Sequence, residues 1–209
     1  MDFQVVINER RSIRRFKPDP IPREDIEKMV HAASMAPSGG NLQPWQFIAV
    51  IDHECRDEMR RIIHDKGVAF FKQTGNKSAI RCIAPSLVFS TAPLVFVVLV
   101  MPFPLERDPN FRIFQEERAL KDRAIDRYGG FVSVQSAGAA VQNLLLTAFD
   151  RGYGSCWIRI PYYAHDELEK LLNIKEPWEI LALVPVGIPD HNPSPPPRKS
   201  IQKILTYIE

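Results

Sequence analysis

Arg10-Arg11-Ser12-Ile13-Arg14-Arg15-Phe16 and Ala36-Pro37-Ser38-Gly39-Gly40-Asn41-Leu42-Gln43-Pro44-Trp45-Gln46-Phe47 decide the reading of this chain. A single amphipathic helix separates them. The first stretch clusters guanidinium forks beside a hydroxyl, the donor set that suits a phosphate. The second offers a turn that glycine permits, together with the Asn41 and Gln43 amides. Those amides both donate and accept, as the edge of a planar polar heterocycle requires. Together they read as two halves of a site for a phosphorylated, planar ligand.

Outward from these stretches the elements follow. Phe3, Val6 and Ile7 recur at helical spacing behind an Asp2 cap, so residues 2–10 read as a helix delivering Arg10 and Arg11 at its end. Pro18 and Pro20 keep residues 12–20 extended, with Ile13 and Phe16 as anchors. Alternation in such a segment sets Arg10, Ser12 and Arg14 on one face and Arg11 and Arg15 on another. Pro22 starts a second helix, with Ile26, Met29, Val30 and Ala33 as its apolar stripe. Residues 45–51 read as a strand and about 53–66 as a charged helix, while residues 66–85 give no clear pattern. Residues 94–100 are a central strand, being almost wholly apolar and rich in β-branched side chains. Residues 131–149 form a helix apolar on most faces, with small residues at Ala137, Gly138, Ala139 and Ala140 that allow close approach. Residues 155–160 and 180–186 read as strands, and 166–172 as a short helix capped by Asp166. From Pro189 a proline-rich arm runs extended to an apolar end at Ile201, Ile204, Leu205 and Ile208.

The chain has 209 residues, a size for one domain spanning 1–209. Residues of about 102–130 interrupt the pattern as a polar, aromatic-dotted, lid-like insertion, and about 189–209 form the arm. A net charge of +2, locally dense only near the N-terminus, argues against a nucleic-acid partner. The longest apolar run, residues 93–101, is far too short to span a membrane. No secretory peptide is expected, and Cys55, Cys82 and Cys156 lack metal spacing, so reduced thiols and a cytoplasmic location are expected. The histidines are scattered, and neither a nucleophile elbow nor a phosphate loop is present, which leaves no metal, hydrolase or kinase reading. Gly152-Tyr153-Gly154 opens a strand and lacks a third glycine, so it is no dinucleotide fingerprint.

Taken alone, the arginine stretch reads as a solvated basic turn at a helix C-terminus, and the amides of the second stretch as loop caps. Their fixed order is what resembles the FMN-dependent nitroreductase family, whose members open with Arg-Arg-Ser-x-Arg-x-Phe followed by Ala-Pro-Ser-x-x-Asn-x-Gln-Pro-Trp. The likeness extends to Ala140-Val141-Gln142-Asn143-Leu144, to the segment from Gly152 to Trp157, and to Val186-Gly187. It implies an α+β fold with a mixed central sheet flanked by helices, in an intertwined homodimer with an extended C-terminal arm. It implies FMN at the subunit interface, with Arg10, Arg11, Ser12 and Arg14 at the phosphate and ribityl end. Pro37, Ser38, Gly39, Asn41 and Gln43 would come from the other subunit. The backbone of Ser155, Cys156 and Trp157 would face the isoalloxazine, and Arg198, with Lys199 beside it, would return to the phosphate.

The activity this implies is transfer of hydride from NADH or NADPH through FMN to a nitroaromatic, quinone or similar small acceptor by a ping-pong mechanism. The flavin does the redox step, so no catalytic side chain is named. Two alternatives stand beside it. One is a flavin-fragmenting enzyme resembling dimethylbenzimidazole synthase, a group that typically carries Asp where Ser12 stands. The other is a flavin-binding redox sensor or carrier without turnover.

Overall fold

The computed structural model describes residues 1–103 and 131–208. All but the first two residues of the expected insertion therefore lie outside the described residues, as does its reading as a lid. The elements are α1 (Phe3–Glu9), α2 (Arg23–Ser34), β1 (Trp45–Val50), α3 (His53–Thr74), α4 (Lys77–Ser86), β2 (Leu94–Val100), α5 (Phe131–Asp150), β3 (Gly154–Ser155), α6 (His165–Leu171) and β4 (Glu179–Gly187).

The strands form one sheet in the order β1-β2-β4-β3, and all pairs are antiparallel. Ser12 adds a parallel bridge to Ser155, which makes the sheet mixed. Every residue of β2 is buried because both faces of the sheet are covered. Leu94, Phe96, Val98 and Val100 point to a core shared with α2 and α5. Val95, Val97 and Leu99 point to a second core with Met59 and Ile63 of α3 and Leu168 of α6. A bulge opposite Val98 and Leu99 lets β4 turn Leu181 and Ala182 to the same side.

Local chemistry sets the helix ends. The Asp2 carboxylate accepts from the Gln4 amide and starts α1. Pro22 precedes α2, whose Ile26, Met29 and Ala33 are buried. Asp52 caps α3, which runs eight residues beyond the expected end. Gly67 does not stop it. A Cβ there would lie 2.6 Å from Ile83 Cγ1 and 2.8 Å from Tyr163 Oη, so the glycine serves a close approach. The real stop is Gly75, left-handed at φ 66°. α6 begins one residue early behind Ala164, and Asp166 lies in its first turn rather than capping it. The expected strand over 155–160 shrinks to Gly154–Ser155 and a single bridge from Ile158 to Leu183.

α5 is not buried on most faces. Its stripe of Ala137, Ala140, Val141, Leu144 and Ala148 packs on the sheet, while Phe131 and Val134 are exposed. Phe3 and Ile7 of α1 are exposed as well, and so are Ile201, Ile204, Leu205 and Ile208 at the end of the arm.

Candidate functional site

The segment after α1 is held against the sheet by its own backbone. The Ile13 amide donates to Ser155 O at 2.9 Å, and the Lys17 amide to Ile188 O at 2.9 Å. Ile13 and Phe16 are buried as anchors. A Cβ on Gly154 would lie 2.6 Å from Ile13 Cγ1, so the contact requires glycine there. This lashing fixes where the arginines stand.

Arg10, Arg11, Ser12, Arg14 and Arg198 line one cavity of about 360 Å³, closed by Pro193, Ser194 and Pro196 of the arm. Arg11 Nη1 turns back to the carbonyls of Asn8 at 2.7 Å and Arg10 at 2.9 Å. Burial lowers the Arg10 pKa, and the charges of Arg198 and Arg11 lower it further. Among the described residues, no carboxylate pairs with any of these arginines. Like charges gathered without a counter-charge are an anion site, because an anion relieves both the repulsion and the desolvation. Arg15 lies outside this cavity, as alternation predicted, whereas Arg11 reaches its rim.

A second cavity of about 490 Å³ adjoins the first, and Arg14 lines both. Its floor is Cys156, Trp157 and Ile158, and its far wall comes from Asn76, Ser78, Arg81, Pro85 and Val88. Arg159 and the aromatic side chains of Phe70, Tyr162 and Tyr163 complete it, Phe70 stacking on Tyr163 with centroids 5.6 Å apart. Sequence reading missed this far wall, because residues 76–88 carry no motif of their own. Burial raises the pKa of Cys156, partly offset by Arg14, Ser12 and Arg10, so the thiol stays protonated at neutral pH and is no nucleophile. Ser155 is 1% exposed, and its Oγ has no hydrogen-bond partner among the described residues.

The Pro37–Gln43 loop is elsewhere. In one chain it packs near the start of α5, with Gly39 3.7 Å from Val132 by its would-be Cβ, and it lines neither cavity. Gly40, Asn41 and Gln43 all have positive φ, at 58°, 54° and 49°. Two of these are not glycine, and such strain persists only where surrounding structure holds it. The Ser38 hydroxyl accepts from the Gln43 amide at 3.0 Å, and Gln43 Nε2 lies 3.3 Å from Asn41 Oδ1. The strain therefore presents both amides together on an exposed tip.

The arginine cavity offers cations to an anion, and the broader cavity beside it is lined by aromatic and polar side chains. Comparison with known proteins gives the class: the model of the Nitroreductase family matches residues 7–188, and the chain belongs to that family of FMN-binding proteins. FMN- and NAD(P)H-linked redox chemistry comes with that membership. An iodotyrosine deiodinase from Thermotoga neapolitana is 28% identical over 194 residues, covering 92% of this chain and 91% of that protein. A BluB-like flavoprotein from Clostridium difficile 630 superposes with a TM-score of 0.87 at 28% identity, over 100% of both chains. An oxidized iodotyrosine deiodinase bound to FMN and 3-iodo-L-tyrosine superposes with a TM-score of 0.71 at 25% identity, over 99% of each chain. Among the described residues, no helix is long and apolar enough to cross a membrane.

Proposed function

We propose that the protein is an FMN-dependent oxidoreductase of BluB-like type, in which the flavin reduced by NAD(P)H is fragmented with dioxygen to dimethylbenzimidazole. The observation that carries this is the full-length likeness to the BluB-like flavoprotein, at a TM-score of 0.87 against 0.71 for the deiodinase structure. It supports the flavin-fragmenting alternative better than the nitroaromatic or quinone reduction to which the sequence first led.

The residues fit the cofactor. Arg10, Arg11, Ser12 and Arg198 hold the phosphate, since their cavity gathers cations and hydroxyls with no carboxylate in its lining. Arg14, common to both cavities, sits where the phosphate end meets the ring end and offsets the negative charge that a flavin gains on reduction. The backbone of Ser155, Cys156 and Trp157 faces the ring. Bound FMN supplies two-electron chemistry, accepting a hydride from the nicotinamide and passing the electrons on. Pro37, Ser38, Gly39, Asn41 and Gln43 reach the ring from a second copy of the chain, because their own chain keeps them out of both cavities. Exposed Phe3, Ile7, Phe131, Val134 and the apolar end of the arm are the surface that this second copy covers.

One observation favours a second reading. Ser12 stands where the flavin-fragmenting group typically carries Asp, and deiodinases are among the sequence relatives. In that case electrons go to an external acceptor, such as a nitroaromatic, a quinone or a halogenated aromatic, with ping-pong kinetics. The FMN-loaded protein incubated aerobically with NADPH and excess FMN separates the two. Dimethylbenzimidazole in the products, with FMN consumed in step, supports the first. Intact FMN with reduced nitrobenzoate or quinone, or iodide released from 3-iodotyrosine, replaces it with the second. A protein that takes up no FMN refutes both.

A further inference from the structure

We propose that Arg81 and Arg159 bind the phosphate groups of the nicotinamide donor and make NADPH preferred over NADH. This rests on the reading above that FMN occupies the two cavities, and it holds for either fate of the reduced flavin, because both need the donor.

The cavity over residues 156–158 carries three guanidinium groups, from Arg14, Arg81 and Arg159, and no Asp or Glu among its described lining residues. Arg14 is taken up at the junction with the phosphate end. Arg81 comes from α4 and Arg159 from the stretch beyond β3, so two separate elements bring guanidinium groups to this cavity. Both are exposed, and neither makes an ion pair or hydrogen bond to any described residue. Solvated arginines are common, but these two rim a cavity that already holds the ring-facing strand.

The chain has no glycine-rich βαβ fingerprint, so the donor has no separate nucleotide site and must lie with its nicotinamide against the flavin. Its phosphates then extend outward past the rim. Sites that select NADH place a carboxylate on the ribose 2′-hydroxyl, where it also repels a 2′-phosphate. This rim presents the opposite charge. Guanidinium forks match phosphate bidentately, and the 2′-phosphate of NADPH is the anionic group that NADH lacks.

The test is stopped-flow reduction of the FMN-loaded protein by NADPH and by NADH, with no acceptor present, followed by the flavin absorbance. The wild-type protein should show an apparent second-order rate about tenfold or more higher with NADPH. The Arg81→Gln/Arg159→Gln protein should lose that preference through a weaker NADPH Kd. Its limiting rate at saturation and its FMN content should be unchanged. Equal or better reduction by NADH in the wild type overturns the inference, as does a double variant that keeps the wild-type ratio. A double variant that loses FMN also overturns it, by assigning the arginines to the cofactor while leaving the flavin reading intact. If the ratio survives but turnover with a carboxylated quinone falls against a neutral one, the arginines serve the acceptor and the inference is wrong. If the wild type binds no FMN, the flavin reading fails first and this inference falls with it.

Discussion

Gly154→Ala tests the geometry that positions the arginines. A Cβ at 154 would stand 2.6 Å from Ile13 Cγ1, 2.8 Å from Cβ and 2.9 Å from Cγ2. Carbon atoms pack at about 3.5–4.0 Å, so relief requires a shift of roughly an ångström. Ile13 cannot supply it by changing rotamer, because its own Cβ is among the clashing atoms and its side chain is buried at 6% exposure. The backbone of residues 12–14 must move away from β3, stretching the 2.9 Å bond from the Ile13 amide to Ser155 O. Overpacking of this kind costs about 1–3 kcal/mol. In a chain of this length that lowers the Tm by about 2–12 °C. The same shift carries Ser12 and Arg14 off their lines to the cofactor, so FMN affinity should fall by about tenfold or more. Thermal unfolding of the apo-protein and fluorescence titration with FMN measure the two effects separately. An unchanged Tm together with unchanged FMN affinity would refute the claim that this glycine sets the cradle.

Three other outcomes are expected. Arg198→Ala should weaken FMN binding by about tenfold, an effect that added salt reduces, yet leave the apo-protein as stable as before or slightly more so, because it removes a charge that opposes Arg10; calorimetry with and without FMN checks both signs. Tyr153→Phe should raise the Asp25 pKa: the Tyr153 hydroxyl donates to Asp25 Oδ2 at 2.5 Å and is the main cause holding that carboxyl below its ordinary value, with Arg151 adding to it, while burial and the same bond push the tyrosine itself up to about 12. Because the folded-state pKa of Asp25 is depressed, its contribution is present above the unfolded pKa and is lost as pH falls through the folded one, so the variant should lose stability at neutral pH and show a shallower acid limb in Tm against pH. If the protein is the dimer proposed above, Ile204→Glu/Ile208→Glu should sediment as monomers and lose FMN with the change; a dimer that survives with FMN bound would remove the arm from the interface.

Where chemistry is local, the sequence carried the reading. The Asp2 cap, the helix-free stretch before Pro20 and the apolar run of β2 each need only their neighbours in the chain, and each stands in the structure as read. Where the answer depends on distant partners, reading failed in a consistent way. The charged helix expected over about 53–66 runs on through Gly67, where Ile83 and Tyr163 leave no room for a Cβ. Residues 156–160 have strand composition but meet β4 only through the Cys156 amide on Pro185 O and the Ile158 bridge to Leu183, and Cys156, Trp157 and Ile158 line a cavity. Asn41 and Gln43 take positive φ that no propensity rule assigns to them. The second wall of the ring cavity comes from α4, some seventy residues before the strand it faces, and no spacing motif joins the two.

The same distinction explains why the two opening stretches, separated by α2 alone, occupy different places in one chain. The arginines need a rigid cradle, and the sheet edge at Ser155 provides it. The amide loop needs a held strain, which Ser38 and Gln43 supply between themselves at an exposed tip near the start of α5. The arginine side supplies cations for a phosphate, and the loop side supplies paired amides with no cation in its turn. On the function proposed above, a ligand that uses both halves is shared between two chains. On that reading the exposed apolar residues of α1, α5 and the arm are the surface buried between two copies, and cofactor binding and dimerisation are one equilibrium rather than two.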